Sequence, residues 1–163
     1  MSRRENLITI MKRLRPSDRP PLAPADDLTR AIHQVLRTDP PEIKPEYADG
    51  IAQFDGHCYT ASEAYFYLAM LGGKDLQPMQ LVHRGVSHWW LLDEKGCVVD
   101  LTPGRRDRPV RGERPSYPYE RGSKRAFRWT KEGPSARARH IMDRVQRGAV
   151  AKVLRQRERQ ARS

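Results

Sequence analysis

Two short apolar segments on either side of a turn-forming tetrapeptide constrain this fold more than any other feature. Residues 87–92 and 97–102 have the composition of buried strands, and residues 93–96 (Asp-Glu-Lys-Gly) lie between them. Asp is favoured at the start of a type I turn, and a left-handed Gly ends a three-residue hairpin loop with a bulge. The sequence therefore predicts an antiparallel hairpin in which Asp93 pairs with Cys97.

This register decides which side chains share a face of the sheet. With Asp93 opposite Cys97, His88 and Asp100 become diagonal neighbours on one face, roughly 7–8 Å apart at Cα. A loop one residue shorter or longer would place them on opposite faces. A buried strand rarely carries a carboxylate without a partner, so we expect Asp100 to pair with His88. Cys97 then faces the other way, as a small core residue.

Helical periodicity predicts three helices around this hairpin. One follows an N-cap at Asp26 or Asp27, the second runs from about Cys58 to Leu71, and the third begins at Pro134. A further strand is predicted near residues 79–83. The fold class is therefore α+β, with a short antiparallel sheet of three or four strands flanked by helices. Both faces of the hairpin are apolar, and we expect the Cys58 helix to cover the face that carries His88.

Proline and charge divide the chain into three parts. Residues 1–25 form a basic N-terminal segment with a Pro-rich linker, and residues 26–133 form the core domain. Residues 103–125 are rich in Pro, Gly and Arg and predict a long loop within that core. Residues 134–163 form a basic helix that we expect to fray from Arg155 onwards, since its end has no apolar anchor.

Length and composition limit the class of protein. A chain of 163 residues with 37% hydrophobic residues suits one domain with a lean core. No run approaches the ~18 apolar residues that a membrane span needs, and the first residues do not resemble a secretory signal. Two cysteines suggest a reducing compartment, so we expect a cytoplasmic protein with no membrane partner; its oligomeric state is left open.

Cys58, His88 and Asp100 each lie in a context suited to thiol chemistry. Cys58 falls in the first turn of its helix, where free N–H groups and the helix dipole favour a thiolate. A nearby imidazolium favours it further, and that histidine needs an acceptor to orient it. His57 is expected to be a solvent-facing loop residue. A zinc site built from these residues is the weakest alternative, because ligand spacing typical of zinc is missing, and we expect no metal or cofactor.

The pattern resembles the papain-like superfamily of cysteine hydrolases, in its transglutaminase-like and arylamine N-acetyltransferase-like branches. The matching text is Gly56-His57-Cys58-Tyr59 with His88-Trp89-Trp90-Leu91-Leu92 and Val98-Val99-Asp100-Leu101-Thr102-Pro103, within residues 54–103. The resemblance implies a nucleophile at Cys58, a general base and then acid at His88, and an orienting acid at Asp100. It implies an oxyanion donor for which Gln53 is the candidate.

From that resemblance we expect a cysteine-dependent acyl-transfer enzyme that acts on a protein, peptide or small amide. Hydrolysis of an amide or isopeptide, as by a protease, amidase or deamidase, is favoured over cross-linking because water is the default acceptor. Residues 117–122 and 134–138 also resemble segments of small bacterial and phage proteins, a likeness that implies no function.

Charge supports a second hypothesis. Residues 101–163 hold 19 Lys and Arg against 6 Asp and Glu, a net charge of +13, whereas residues 1–100 hold 12 against 14, or −2. The chain could thus bind nucleic acid or an acidic partner and carry an inactive papain-like core. A solvated helix that docks through its apolar side is the alternative. Candidate phosphate ligands are Arg121, Lys124, Arg125 and Arg128, with stacking surfaces at Tyr117, Tyr119, Phe127 and Trp129.

Overall fold

The computed structural model describes residues 20–43, 45, 56–103 and 117–162, which form an α+β fold of three helices and a four-stranded antiparallel sheet. The strand order is β3-β2-β1-β4. Gln53, the segment 1–15 and residues 104–116 lie outside the described residues. The elements are α1 (Asp27–Thr38), α2 (Cys58–Leu71), β1 (Gln77–His83), β2 (Val86–Leu92), β3 (Val98–Val99), a 3-10 turn (Tyr119–Arg121), β4 (Ser123–Lys124) and α3 (Ala136–Arg162).

The predicted hairpin register is confirmed. Leu91 pairs with Val99, and the N–H of Asp93 donates to the carbonyl of Cys97 at 3.0 Å. Gly96 has a φ of 78°, the left-handed conformation that the bulge requires. The Asp93 carboxylate accepts from the N–H groups of Lys95 and Cys97, so the turn is fixed by its own first residue.

Strand β3 is much shorter than the predicted 97–102, because the chain turns away directly after Val99. The carboxylate of Asp100 accepts a hydrogen bond from the N–H of Thr102 at 2.9 Å, a local turn that competes with the ladder. The other edge of β3 is paired with the predicted linker, where Leu22 forms a parallel bridge to Val98. The end of the linker, residues 21–23, is therefore part of the core fold.

The expectation that the Cys58 helix covers the His88 face was wrong. Helix α2 packs on the opposite face, where the hydroxyl of Ser62 donates to the carbonyl of Trp89. All three helices bury apolar side chains against that face. The shared core there contains Ile32, Ala61, Ala64, Leu91, Val99, Leu101 and Ile141.

The face of His88 is covered by a segment that the sequence predicted only as loop. Tyr119 packs with Trp90 and Met79 in a second, smaller core. The same segment continues into β4, in which Lys124 pairs with Met79 of β1. The segment that contains Tyr117 and Tyr119, together with the edge strand β4, thus covers this side of the sheet in place of the expected helix.

Helix α3 begins two residues after Pro134 and docks by its first turns only. Ala138 and Ile141 are buried, whereas almost every residue from Gln146 onwards is exposed. The helix is described as far as Arg162, and the fraying expected from Arg155 stays a prediction. Among the described helices, none combines the length and apolarity needed to cross a bilayer.

Candidate active site

His88 and Asp100 form a close, largely buried pair. The Nε2 of His88 lies 2.6 Å from Oδ2 of Asp100, and the two side chains are 16% and 1% exposed. Two further donors complete the shell of the carboxylate, namely the hydroxyl of Tyr119 at 2.7 Å from Oδ2 and the N–H of Thr102 at 2.9 Å from Oδ1. A buried polar group is stabilised when its hydrogen bonds are satisfied. Asp100 therefore has partners that hold its side chain in one orientation against His88.

The Asp100 carboxylate favours the protonated form of His88. Burial alone would lower the pKa of His88, but the charge of Asp100, its hydrogen bond and the contact with Cys58 raise that pKa to about 10. Nε2 of the ring contacts Asp100 at 2.6 Å, and Cys58 is close enough to the same ring to contribute to the raised pKa. One imidazole thus joins the carboxylate to the thiol, and at neutral pH it is an imidazolium.

Cys58 reaches this imidazole although its helix packs on the opposite face of the sheet. Its Sγ lies 3.9 Å from the carbonyl oxygen of Ser87, the residue before His88 in β2. Strand β3 pairs only with Leu91 and Leu92, so among the described residues β2 has no strand neighbour beside Ser87 on that edge. The first turn of α2 lies against this open edge, and the half-buried thiol meets His88 there.

The N-terminus of α2 presents backbone donors at the thiol. The helix begins at Cys58, and the first intrahelical bond runs from the N–H of Ala61 to the carbonyl of His57. The side chain of His57 makes no capping bond, so the N–H groups of the first turn stay available as anion donors. These donors suit a thiolate and the oxyanion of an acyl intermediate.

His57 was expected to face solvent, and this expectation was wrong. The side chain is buried next to Cys58 in the chain, and burial together with the charge of Arg137 lowers its pKa. His57 therefore stays neutral at physiological pH, which leaves His88 as the cation of the site.

Aromatic rings enclose the imidazole of His88. The indole of Trp90 stacks on it with ring centroids 6.0 Å apart, and the ring of Tyr117 meets it edge-on at 5.2 Å. Trp90 is fully buried, and its indole N–H has no hydrogen-bond partner in the described part of the chain. Trp89 lies on the other face, against Tyr59. Of the two neighbouring tryptophans, Trp90 is thus the one that contacts His88.

Tyr119 is the site residue that the sequence did not reveal. The Pro-flanked sequence around it predicted a loop, and a loop pattern carries no information about which strand it will cover. The presence of two tyrosines in a Pro- and Arg-rich segment was the only available signal, since large aromatic side chains tend to be buried.

The candidate phosphate ligands are all exposed, whereas the candidate stacking rings are only partly so. Arg121, Lys124, Arg125 and Arg128 are all exposed, as the prediction requires. Two of the expected stacking surfaces are not available, because Tyr119 and Phe127 are buried; Trp129 is exposed. Within the described ranges, no group of three or more His, Cys, Asp or Glu side chains is arranged to hold a metal ion.

Comparison of the chain with protein-family models, curated proteins and solved structures gives no match. The chemistry of the site is therefore inferred from its own residues.

Proposed function

We propose that this protein is a cysteine-dependent acyl-transfer enzyme of papain-like organisation, and that its reaction is amide or isopeptide hydrolysis. The supporting observation is the meeting of three residues: Nε2 of His88 contacts the carboxylate of Asp100, and Cys58, at the start of α2, interacts with the same imidazole. Each residue type is the one that its step requires: a thiol, a proton carrier and an orienting anion.

In the first half of the reaction the Cys58 thiolate attacks the carbonyl carbon of the amide. A C–S bond forms, and the carbonyl oxygen becomes an oxyanion beside the N–H groups of the first turn of α2. The imidazolium of His88 then gives its proton to the amide nitrogen, the C–N bond breaks, and an amine leaves. Cys58 is left as a thioester, and His88 is left neutral.

In the second half water replaces the amine. Neutral His88 accepts a proton from the water as the water oxygen attacks the thioester carbon. The C–S bond then breaks, which releases a carboxylic acid and returns the thiolate–imidazolium pair. Asp100 keeps the ring in one orientation throughout, since its hydrogen bond to Nε2 is present in both halves.

The first test compares the two cysteines, because Cys97 is a matched internal control. Both are free and half-buried, but burial and the charge of Asp93 raise the pKa of Cys97. Iodoacetamide at pH 7 should alkylate Cys58 at least tenfold faster than Cys97, as measured by mass spectrometry of the peptides. His88→Ala should remove most of this difference. Slow and equal alkylation of both thiols in the folded protein would refute the proposal.

A second experiment separates hydrolysis from transfer. Incubation with a library of amide substrates in H₂¹⁸O should place one ¹⁸O atom in the released acid for a hydrolase, whereas added amine should be incorporated by a transferase. Cys58→Ser should abolish turnover in either case. Turnover that survives this substitution would exclude the thioester route.

A further inference from the structure

The outer half of α3 extends past the core that the described residues form. We call residues 146–162 the free half of α3 in the sense that none of its side chains is buried in that core, although Gln160 has an interaction of its own; at 1.5 Å per residue it extends about 25 Å. All of its side chains are exposed except that of Ala151, which is half-buried. Most helical stability in proteins comes from tertiary packing, and the free half has little of it among the described residues, so it is suited to contact with another molecule.

The arginines of α3 differ sharply between its two halves. In the docked half, Arg139 pairs with Glu132 at 3.0 Å and Arg144 pairs with Asp39 at 2.7 Å. In the free half, six Lys and Arg face one Glu, a net charge of +5. Among the described residues none of these six cations takes part in an ion pair. Two arginines of the docked half thus pair with carboxylates, whereas the cations of the free half have no ion pair among the described residues, although Lys152 is close enough to Asp27 to help lower the pKa of that carboxyl.

Four of the free cations share one face of the helix. Lys152, Arg155, Arg159 and Arg162 follow one another at intervals of three, four and three residues, which at 100° per residue keeps them within one stripe about 15 Å long. The exposed aliphatic residues Val150, Val153 and Leu154 lie on other sides. The helix thus has a basic face, defined by those four residues, and another side on which the three aliphatic residues alternate with Arg147 and Arg157.

We propose that the basic face of α3 binds the phosphate backbone of a nucleic acid. A linear row of cations matches a linear row of phosphates, and three of the four are arginines, whose planar guanidinium suits phosphate oxygens. A second copy of the chain is disfavoured as the partner, since two free halves, each with a net charge of +5, would repel one another. A membrane surface is disfavoured as well, because α3 contains no aromatic residue and its exposed apolar stripe is short.

The decisive test removes two positive charges from the basic face and, in a control variant, two from another side of the same helix. Arg155→Gln/Arg159→Gln removes two cations from the basic face. The control, Arg147→Gln/Arg157→Gln, removes two from elsewhere on the free half, where Arg147 lies beside Val150 and Leu154. Glutamine supports helices nearly as well as arginine, so circular dichroism should show unchanged helicity. Affinity for a fluorescent 20-base-pair duplex and for a 20-nucleotide single strand is measured from 50 to 200 mM salt.

Four phosphate contacts should give a slope of log affinity against log salt of about −3.6 on duplex, since each contributes about 0.9. The basic-face variant should have a slope shallower by about 1.8, so the loss of its affinity between 50 and 200 mM salt should be about twelvefold smaller than that of the native protein. The slope of the control variant should change by less than half of that amount. Equal losses in both variants, or no binding at 50 mM salt, would overturn the proposal. So would retention on phosphatidylserine vesicles without binding to either nucleic acid. None of these outcomes depends on the thiol chemistry.

Discussion

The hydroxyl of Tyr119 and the Nε2 of His88 meet the same oxygen of Asp100, at 2.7 and 2.6 Å. Tyr119 thereby fixes the carboxylate that fixes the imidazole. Tyr119→Phe should therefore reduce the rate of Cys58 alkylation at pH 7 by about three- to tenfold and lower the free energy of unfolding by about 1–2 kcal/mol. The alkylation rate is measured by mass spectrometry and stability by chemical denaturation.

Tyr65→Phe is the matched control for that prediction. Tyr65 is also buried, and its hydroxyl also donates to a carboxylate, Asp26, at 2.7 Å, but it lies outside the candidate site. It should lose similar stability while Cys58 keeps its reactivity. If both variants slow alkylation equally, the effect of Tyr119 is general destabilisation and not positioning.

Because His88 is protonated in the folded protein, the free energy of unfolding should fall as the pH rises above neutral. Because its pKa is raised from 6.5 to about 10 in the folded protein, its contribution is complete below pH 6.5 and is lost as the pH rises towards 10. The difference in unfolding free energy between the native protein and His88→Gln should shrink by about 1.4 kcal/mol per pH unit across this window. Denaturation at pH 6, 7.5 and 9 measures it, and a constant difference would contradict the raised pKa.

Gly122 should be intolerant of any side chain. An added Cβ would collide with the Cζ2 and Cη2 carbons of Trp90, whose ring stacks on His88. Gly122→Ala should cost about 1–3 kcal/mol and slow the alkylation of Cys58, because Trp90 must move. Gly148→Ala is the control: a Cβ there meets nothing within 4 Å, so it should stabilise the helix by about 0.5–1 kcal/mol. Equal stability of the two variants would contradict the packing argument.

Asp26 should matter for stability at neutral pH and much less in acid. It caps α1 by accepting from the N–H of Thr29 at 2.7 Å. Burial would raise its pKa, but that bond and those from Tyr65 and Lys74 lower it to about 2. Its contribution is thus present above pH 3.8 and is lost as the pH falls towards 2. Asp26→Ala should cost about 1 kcal/mol at pH 7, measured by denaturation, and clearly less at pH 2.

The hairpin and its His–Asp pair could be predicted from the sequence because local chemistry determines them. Asp93 and Gly96 specify the turn, the turn specifies the register, and the register places His88 and Asp100 on one face. The cap at Asp26 was predictable for the same reason, since an N-cap depends on neighbours within a few residues.

The packing around the hairpin could not be predicted, because both of its faces are apolar. Neither Trp89 nor Trp90 indicates whether a helix or a loop will cover it, so α2 was assigned to the wrong face. The contact between Tyr119 and Asp100 joins a Pro-flanked segment to the end of a strand, and such long-range pairs leave no periodic signal.

The dependence of the pair on register reverses a familiar rule of protein engineering. Surface turns of charged residues are ordinarily where a chain best accepts an extra amino acid. Here Glu94 and Lys95 can be replaced by other residues, but the number of residues in the turn cannot change. One inserted residue would move every later side chain of β3 to the opposite face of the sheet. The most exposed stretch of the hairpin is therefore the part whose length can change least, because the buried pair of His88 and Asp100 requires this spacing.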